Sequence, residues 1–246
     1  MPNATIALSQ GIDGRGASAA DAGLLVDLMP ERALFIRAVR ALVVADIHVG
    51  KSESYRRFGV PSTDGIDEES LIRLSRAAMR AEAKVIVVVG DLTHSAEGIG
   101  EAERERFAEF RQRCALPIRL VEGNHDRGAR TLPPEWMIDR VGDAFELGGV
   151  RFRHDPADVA STGAWTICGH LHPVLSVSRG VRAVEAPAFL IDHTTKTLVL
   201  PAFSKFTRGV RIEPSRTREI HAIVESSVIG PLRGDMSGGV PSGGEA

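Results

Sequence analysis

Two short runs, Leu42-Val43-Val44-Ala45 and Val85-Ile86-Val87-Val88-Val89, constrain this chain more than any other feature. They are rich in β-branched residues and have no polar interruption, so each suits a strand buried on both faces, as in a parallel sheet. Between them Leu71, Leu74 and Ala78 recur at helical spacing, with Asp67 placed to cap the first turn. Strand, helix and strand in that order predict a parallel layer joined by right-handed crossovers. A second helix is expected over about 101–114, with Phe107, Phe110 and Cys114 on one stripe, and shorter strands at Ile118–Val121 and Thr166–Cys168. Beyond about residue 145 the pattern turns to hairpin-like segments: Phe145–Leu147, Val150–Arg153, Val181–Val184, Phe189–Asp192 and Thr197–Leu200. These suggest a second, largely antiparallel sheet, and strands near 24–27 and 34–37 extend the N-terminal side. The expected fold class is α/β: a sandwich of two sheets flanked by helices.

At 246 residues the chain could form one large domain or two small ones. Residues 1–22, with GIDGRGASAADAG at their centre, are too polar and small to bury much surface and read as a flexible leader. The stretch from about Gly230, residues 230–246, reads as a flexible tail for the same reason. No linker or repeat divides the rest, so 23–229 is expected to be a single domain. No apolar run approaches the ~18 residues of a membrane span, and the N-terminus lacks a signal-peptide layout. Two cysteines without CxxC spacing exclude a disulfide framework. A cytoplasmic, reduced chain with no membrane partner is the expectation. A net charge of −2 gives no long-range pull on nucleic acid, and one Tyr with two Trp argue against an aromatic platform for single strands.

The chemistry sits where the apolar runs stop. They end in Asp46-Ile47-His48, Gly90-Asp91, Gly123-Asn124-His125-Asp126 and Gly169-His170-Leu171-His172. Ligand sites of α/β sheets lie beyond the carboxyl ends of strands, so four such ends bring Asp, Asn and His side chains to one rim. Taken singly, each cluster is an ordinary strand end or turn; the four together, in this order, are not. Imidazole and carboxylate donors without Cys suit manganese, iron or zinc. Two such ions can grip a phosphate and lower the pKa of a bridging water, as phosphodiester hydrolysis requires.

This set of motifs resembles the calcineurin-like metallophosphoesterase superfamily over about residues 40–205. The resemblance implies a four-layer α/β/β/α sandwich and a centre of two divalent metal ions, manganese first, with iron or zinc as alternatives. It implies that Asp46, His48 and His172 bind one ion and that Asn124, His154 and His170 bind the other. Asp91 would bridge them. His154 is followed by Asp155-Pro156 where the superfamily often has Gly. His125 would contact the phosphate and protonate the leaving group, with Asp126 orienting it. Further motifs resemble a narrower bacterial branch, the ligase-associated DNA-damage-response endonucleases or phosphoesterases. They are Arg32-Ala33-Leu34, Val49-Gly50-Lys51, Phe58-Gly59-Val60-Pro61, Leu92-Thr93-His94-Ser95 and Leu200-Pro201-Ala202-Phe203-Ser204. That branch implies DNA phosphodiesters as substrate, in repair, beside a DNA ligase and a helicase. Shape and charge add that single-stranded or distorted DNA is expected before intact duplex, because a small rim with no long-range positive pull suits a flexible strand.

Lys51, Arg56 and Arg57 follow the first metal motif and are candidate phosphate contacts, and His94 is a candidate beside Asp91. Phe203 and Ser204 are weaker rim candidates, while His193 and His221 lie in no motif. The alternative readings are a small-molecule, cyclic-nucleotide-type phosphodiesterase and a non-catalytic scaffold. The scaffold reading fits poorly with a full set of donors. A Ser/Thr protein phosphatase is also disfavoured, because Leu92-Thr93-His94 and Asp126 depart from its motifs. The oligomeric state, a homodimer included, stays open.

Overall fold

The computed structural model describes residues 3–9, 23–57, 59, 65–95, 98–128, 131–159, 163–179 and 182–234. Residues 10–22 of the expected leader, 235–246 of the expected tail, and Phe58, Val60, Pro61 and Val181 lie outside them.

The first sheet runs β1 (Ala4–Leu8), β2 (Leu24–Met29), β3 (Ala33–Ile36), β4 (Ala41–Val44), β5 (Val85–Val89), β6 (Ile118–Val121) and β7 (Ile138–Arg140), in that spatial order. β1 to β4 pair antiparallel, and β4 to β7 pair parallel. α1 (Lys51–Arg57) and α2 (Ile66–Arg80) join β4 to β5, and α3 (Glu101–Arg113) joins β5 to β6. Alternation divides the apolar runs between two cores. Leu42, Val44, Ile86 and Val88 pack with Leu71, Leu74, Phe107 and Phe110 of the helices. Ala41, Val43, Val87 and Val89 point the other way, against Phe152, Ile167, Phe189 and Leu198 of the second sheet.

The second sheet contains β8 (Phe145–Leu147), β9 (Val150–Phe152), β10 (Thr166–Cys168), β11 (Pro173–Arg179), β12 (Arg182–Asp192), β13 (Thr197–Val199), β14 (Val210–Arg211), β15 (Arg218–Val224) and β16 (Ser227–Arg233). It is mixed: β10 lies parallel to both β9 and β13. The fold class is the expected α/β sandwich of two mixed sheets. Its α-helices, among the described residues, do not cover the outer face of the second sheet. That face is a cluster of Cys168, Ala188, Leu190, Val199, Ile220 and Ala222, with Leu171 and Leu175 packed on it. None of the described helices is long and apolar enough to cross a membrane.

Four expectations are corrected. Ala4–Leu8, assigned to the leader, is an edge strand, because Thr5 bonds Asp27 and Leu8 enters the inter-sheet core. The tail was expected to begin at 230, yet β16 continues to Arg233, whose guanidinium holds Glu219. The described residues 182–184 and 189–192 of two expected segments belong to one strand, with Pro187 near where β12 passes from β11 to β15. Asp67 does not cap α2; Gly65 takes that place, and the buried Asp67 carboxylate accepts the Gly50 N–H.

Candidate metal centre

Register brings the strand ends level. Val44 pairs with Val88, Val88 with Leu120, and Val89 with Val121, so Asp46, Asp91 and Asn124 follow on neighbouring strands at one edge. The parallel pairing continues loosely beyond the strands: Asp46 N donates to Gly90 O, His48 N to Asp91 O, and Val49 N to Leu92 O. From the other sheet, His170 N donates to the Asp46 carboxylate at 3.1 Å, and Ser204 N donates to Asp46 O. The Gly90-Asp91 loop, His170 and Ser204 are therefore each tied through backbone groups to the Asp46–His48 motif.

This arrangement is strained. Asp46, His48, Asp91, His170 and His172 all have positive φ, between 48° and 69°. Such conformations cost about 1–3 kcal/mol each in non-glycine residues and persist where the surroundings over-determine them. Close approach also fixes two glycines: a Cβ on Gly90 would lie 2.0 Å from His154 Nδ1, and one on Gly123 would lie 2.2 Å from Asp91 Oδ1.

Three groups of donors result among the described residues: one is His48, His94 and His125, and the other two each include a carboxylate. In the first of those two, single donor atoms of Asp46, His48 and His172 lie within 4.8 Å of one another, and His172 Nε2 stands 3.2 Å from Asp46 Oδ1. The His172 Nδ1–H donates to the Arg208 carbonyl at 3.0 Å, which turns the Nε2 lone pair inward. His48 is buried with both ring nitrogens lacking a hydrogen-bond partner, and burial pushes its pKa down to about 2. In the second set, His154 Nδ1–H donates to Val89 O at 3.0 Å. Its Nε2 then faces Asp91 Oδ2 at 3.4 Å, Asn124 Oδ1 at 3.1 Å and His170 Nδ1 at 3.2 Å. The Asp91 carboxylate cannot donate to this nitrogen, so the contact at 3.4 Å calls for a positive charge between them. Without a metal ion that charge is a proton. Burial opposes it, but the Asp91 carboxylate holds the His154 pKa up at about 9. Burial alone would raise Asp91, yet its contact with His154 brings it down to about 2. Orphaned imidazoles beside two carboxylates fit divalent cations with N and O ligands.

The other expected residues fall into place unevenly. His125 N donates to Asp91 Oδ1, and its ring is held by Nδ1 donating to His94 O at 2.7 Å, leaving Nε2 3.9 Å from Asp91 Oδ2. The His94 ring stacks on it, centroids 5.1 Å apart. Burial brings the His94 pKa down to about 4. Asp126 does not orient the His125 ring. Its carboxylate is taken by the Thr93 N–H, the Thr93 hydroxyl and the Gly123 N–H, so it ties the β5 loop to the β6 loop. Lys51 is half-buried under the influence of Asp46 and Asp91. Arg56 and Arg57 reach Glu53. Phe203 is core. Arg32 donates to the Ala202 and Ser204 carbonyls and Arg73 to that of Phe203, so the Arg32 and Ser204 motifs meet behind Asp46. His221 is buried beside Glu219, and His193 also reaches that carboxylate. Residues that sequence reasoning passed over include Arg208, Tyr55 and Phe206, which carry no motif of their own; Thr93 lies within the Leu92–Ser95 motif without a spacing that marks its role.

A family model described as calcineurin-like phosphoesterase matches residues 39–193. The chain belongs to the calcineurin-like phosphoesterase family. These calcineurin-like phosphoesterases are hydrolases that use divalent metals. The crystal structure of Pseudomonas putida nuclease MPE is similar at 30% identity and a TM-score of 0.69, over 82% of this chain and 93% of that one. YfcE, a phosphoesterase from E. coli, matches at 16% identity and a TM-score of 0.40, over 78% and 97% of the two chains. The curated proteins offer no match.

Proposed function

We propose that this calcineurin-like phosphoesterase is a DNA endonuclease that hydrolyses phosphodiesters at a pair of divalent ions, manganese first, and acts in DNA repair. The observation that carries the hydrolytic centre is His154 Nε2, gathered with Asp91, Asn124 and His170 into a donor set that suits a cation. The nuclease named among the similar structures supports the nucleic-acid substrate. Asp46, His48 and His172 would hold one ion, and Asn124, His154 and His170 the other, with Asp91 between them. When bound, the ions supply charge neutralisation on the phosphate and a water of lowered pKa.

The chain's own groups do the rest. With Nδ1–H committed to the His94 carbonyl, a protonated His125 presents its second N–H at Nε2, where it can donate to the leaving oxygen. Lys51 offers a positive charge beside Asp46 and Asp91. Single-stranded or distorted DNA is the preferred form, because a duplex must bend to press one phosphate into a rim of short loops, at ~1–6 kcal/mol. A DNA ligase and a helicase are the expected companions.

The test is a manganese-supplemented panel of single-stranded circular DNA, duplex DNA, cyclic nucleotides and a chromogenic phosphodiester. Nicking of the single-stranded circle ahead of duplex is expected. Robust cyclic-nucleotide hydrolysis without nicking of any DNA overturns the DNA reading and leaves a small-molecule phosphodiesterase.

A further inference from the structure

We propose that Tyr55 and Phe206 form a stacking subsite for a nucleobase next to the scissile phosphate, so that the enzyme selects strands whose bases are unpaired. The inference rests on the reading of the chain as a nuclease and deepens it.

Both rings are carried by segments anchored to metal donors. Tyr55 lies in α1, whose first residue, Lys51, donates its N–H to His48 O. Phe206 follows the segment whose Phe203 and Ser204 N–H groups donate to Ala45 O and Asp46 O, and Phe206 N itself donates to Ser204 Oγ. The two rings meet with centroids 5.6 Å apart at 63°, and Tyr55 meets His94 edge-on at 6.0 Å. His94 in turn stacks on His125. Four rings thus lead from His125 to the rim.

The fold does not need this pair. Neither Tyr55 nor Phe206 belongs to any of the three hydrophobic clusters of the described residues, whereas Phe203, three positions earlier, is wholly buried. Both stay half-exposed, and among the described residues the Tyr55 hydroxyl has no hydrogen-bond partner. An aromatic pair held open in this way can take the face of any base, which makes such contacts tolerant of sequence.

Charge selects the same side. Lys51 Nζ lies 5.9 Å from the Tyr55 ring and feels the charges of Asp46 and Asp91. On the opposite flank, the recess beside Asn124, His154 and His170 is lined by Glu122, Asp143, Asp155 and Asp158 against two arginines. A polyanionic strand is repelled there and favoured along Lys51. A paired base would first have to leave its stack to reach the rings, whereas a single strand offers it freely.

The experiment compares oligothymidylate with the same strand made abasic around the scission site, both with manganese present. For the wild-type protein, removing the bases should raise KM about tenfold, the loss expected for one stacked base. In Tyr55→Ala and Phe206→Ala, KM for the base-bearing strand should rise about tenfold, and removal of the bases should then change it by less than about twofold. Tyr55→Trp should restore the base dependence, and Tyr55→Leu, which keeps apolar bulk without a π-face, should not. Melting curves and bound-metal content verify folding of each variant. If the alanine variants lose equally on base-bearing and abasic strands, or the wild type ignores the bases, the subsite is overturned while the nuclease reading stands. If oligothymidylate is not cut at all while a chromogenic phosphodiester is, the nuclease reading itself falls and takes the subsite with it.

Discussion

Asp91 and His125 sit against each other and do different work. Asp91 is the carboxylate that His154 faces, and its backbone carbonyl receives His48 N–H. An Asn there is neutral and offers a single oxygen, so Asp91→Asn should lower bound metal and turnover together. The expected loss in rate exceeds about 100-fold, beyond the ~10–100-fold typical of losing an outer partner of a metal ligand. Elemental analysis beside steady-state kinetics checks this; wild-type stoichiometry with near wild-type turnover would contradict it. His125→Ala should instead keep both ions and slow turnover by roughly 10²–10⁴. The loss should shrink for a substrate with a good leaving group, which needs less protonation. A fall in bound metal would make His125 a ligand. Asp126 shows where reading neighbours along the chain fails. Adjacency to His125 suggests a partner for its ring, but four donors from the β5 and β6 loops occupy the carboxylate. Those donors lie 3, 33 and 34 positions away, and no sequence spacing marks them.

At the scale of elements, the centre depends on how parallel strands end. β4, β5 and β6 stop level, and the loops that follow are stitched by backbone bonds and by Asp126. Asp126→Ala leaves the buried N–H groups of Thr93 and Gly123 without acceptors, at ~1–3 kcal/mol apiece. A domain of this size loses about 2–4 °C per kcal/mol, so Tm should drop by roughly 4–24 °C. Affinity for metal should weaken as well, since both loops carry donors. Differential scanning calorimetry with and without manganese measures both effects; an unchanged Tm would show that the carboxylate does not secure these loops. The strands themselves were readable because β4 and β5 are buried on both faces and so lack polar residues. β1 was not, because a half-exposed edge strand, Ala4-Thr5-Ile6-Ala7-Leu8, has little composition to distinguish it from a loose leader.

At the scale of the whole molecule, the two cores clamp a strained, charged rim that a cation completes. In the ion-free protein the raised His154 pKa contributes stability that is fully present below its unfolded value of about 6.5. That contribution is lost as pH rises through about 9. His48 works oppositely: burial holds it neutral, so its penalty grows as pH falls below about 6.5 and the unfolded state takes up the proton. A metal ion at His154 must displace the proton. Binding at pH 7–8 should therefore release close to one proton from this residue, and affinity should strengthen about tenfold per pH unit up to about 9. Titration calorimetry with manganese in two buffers of different ionisation enthalpy reads the proton count. Binding without proton release would place the ion away from His154.

The sequence by itself determined the donors. Four apolar runs, each closed by Asp, Asn or His, announced a rim at strand ends, and β-branched burial fixed which segments would be strands. Resemblance then supplied the partition into two sets, and the matching family model shows the family. Only the tertiary structure decided which lone pair each histidine turns inward, because that depends on distant carbonyls such as Val89 O and Arg208 O. It also decided that Arg56 and Arg57 turn to Glu53, while Tyr55 and Phe206, 151 positions apart, meet beside His94. Local patterning reports burial and period along one segment. The meeting of side chains from two sheets depends on register and crossover, which no single segment encodes.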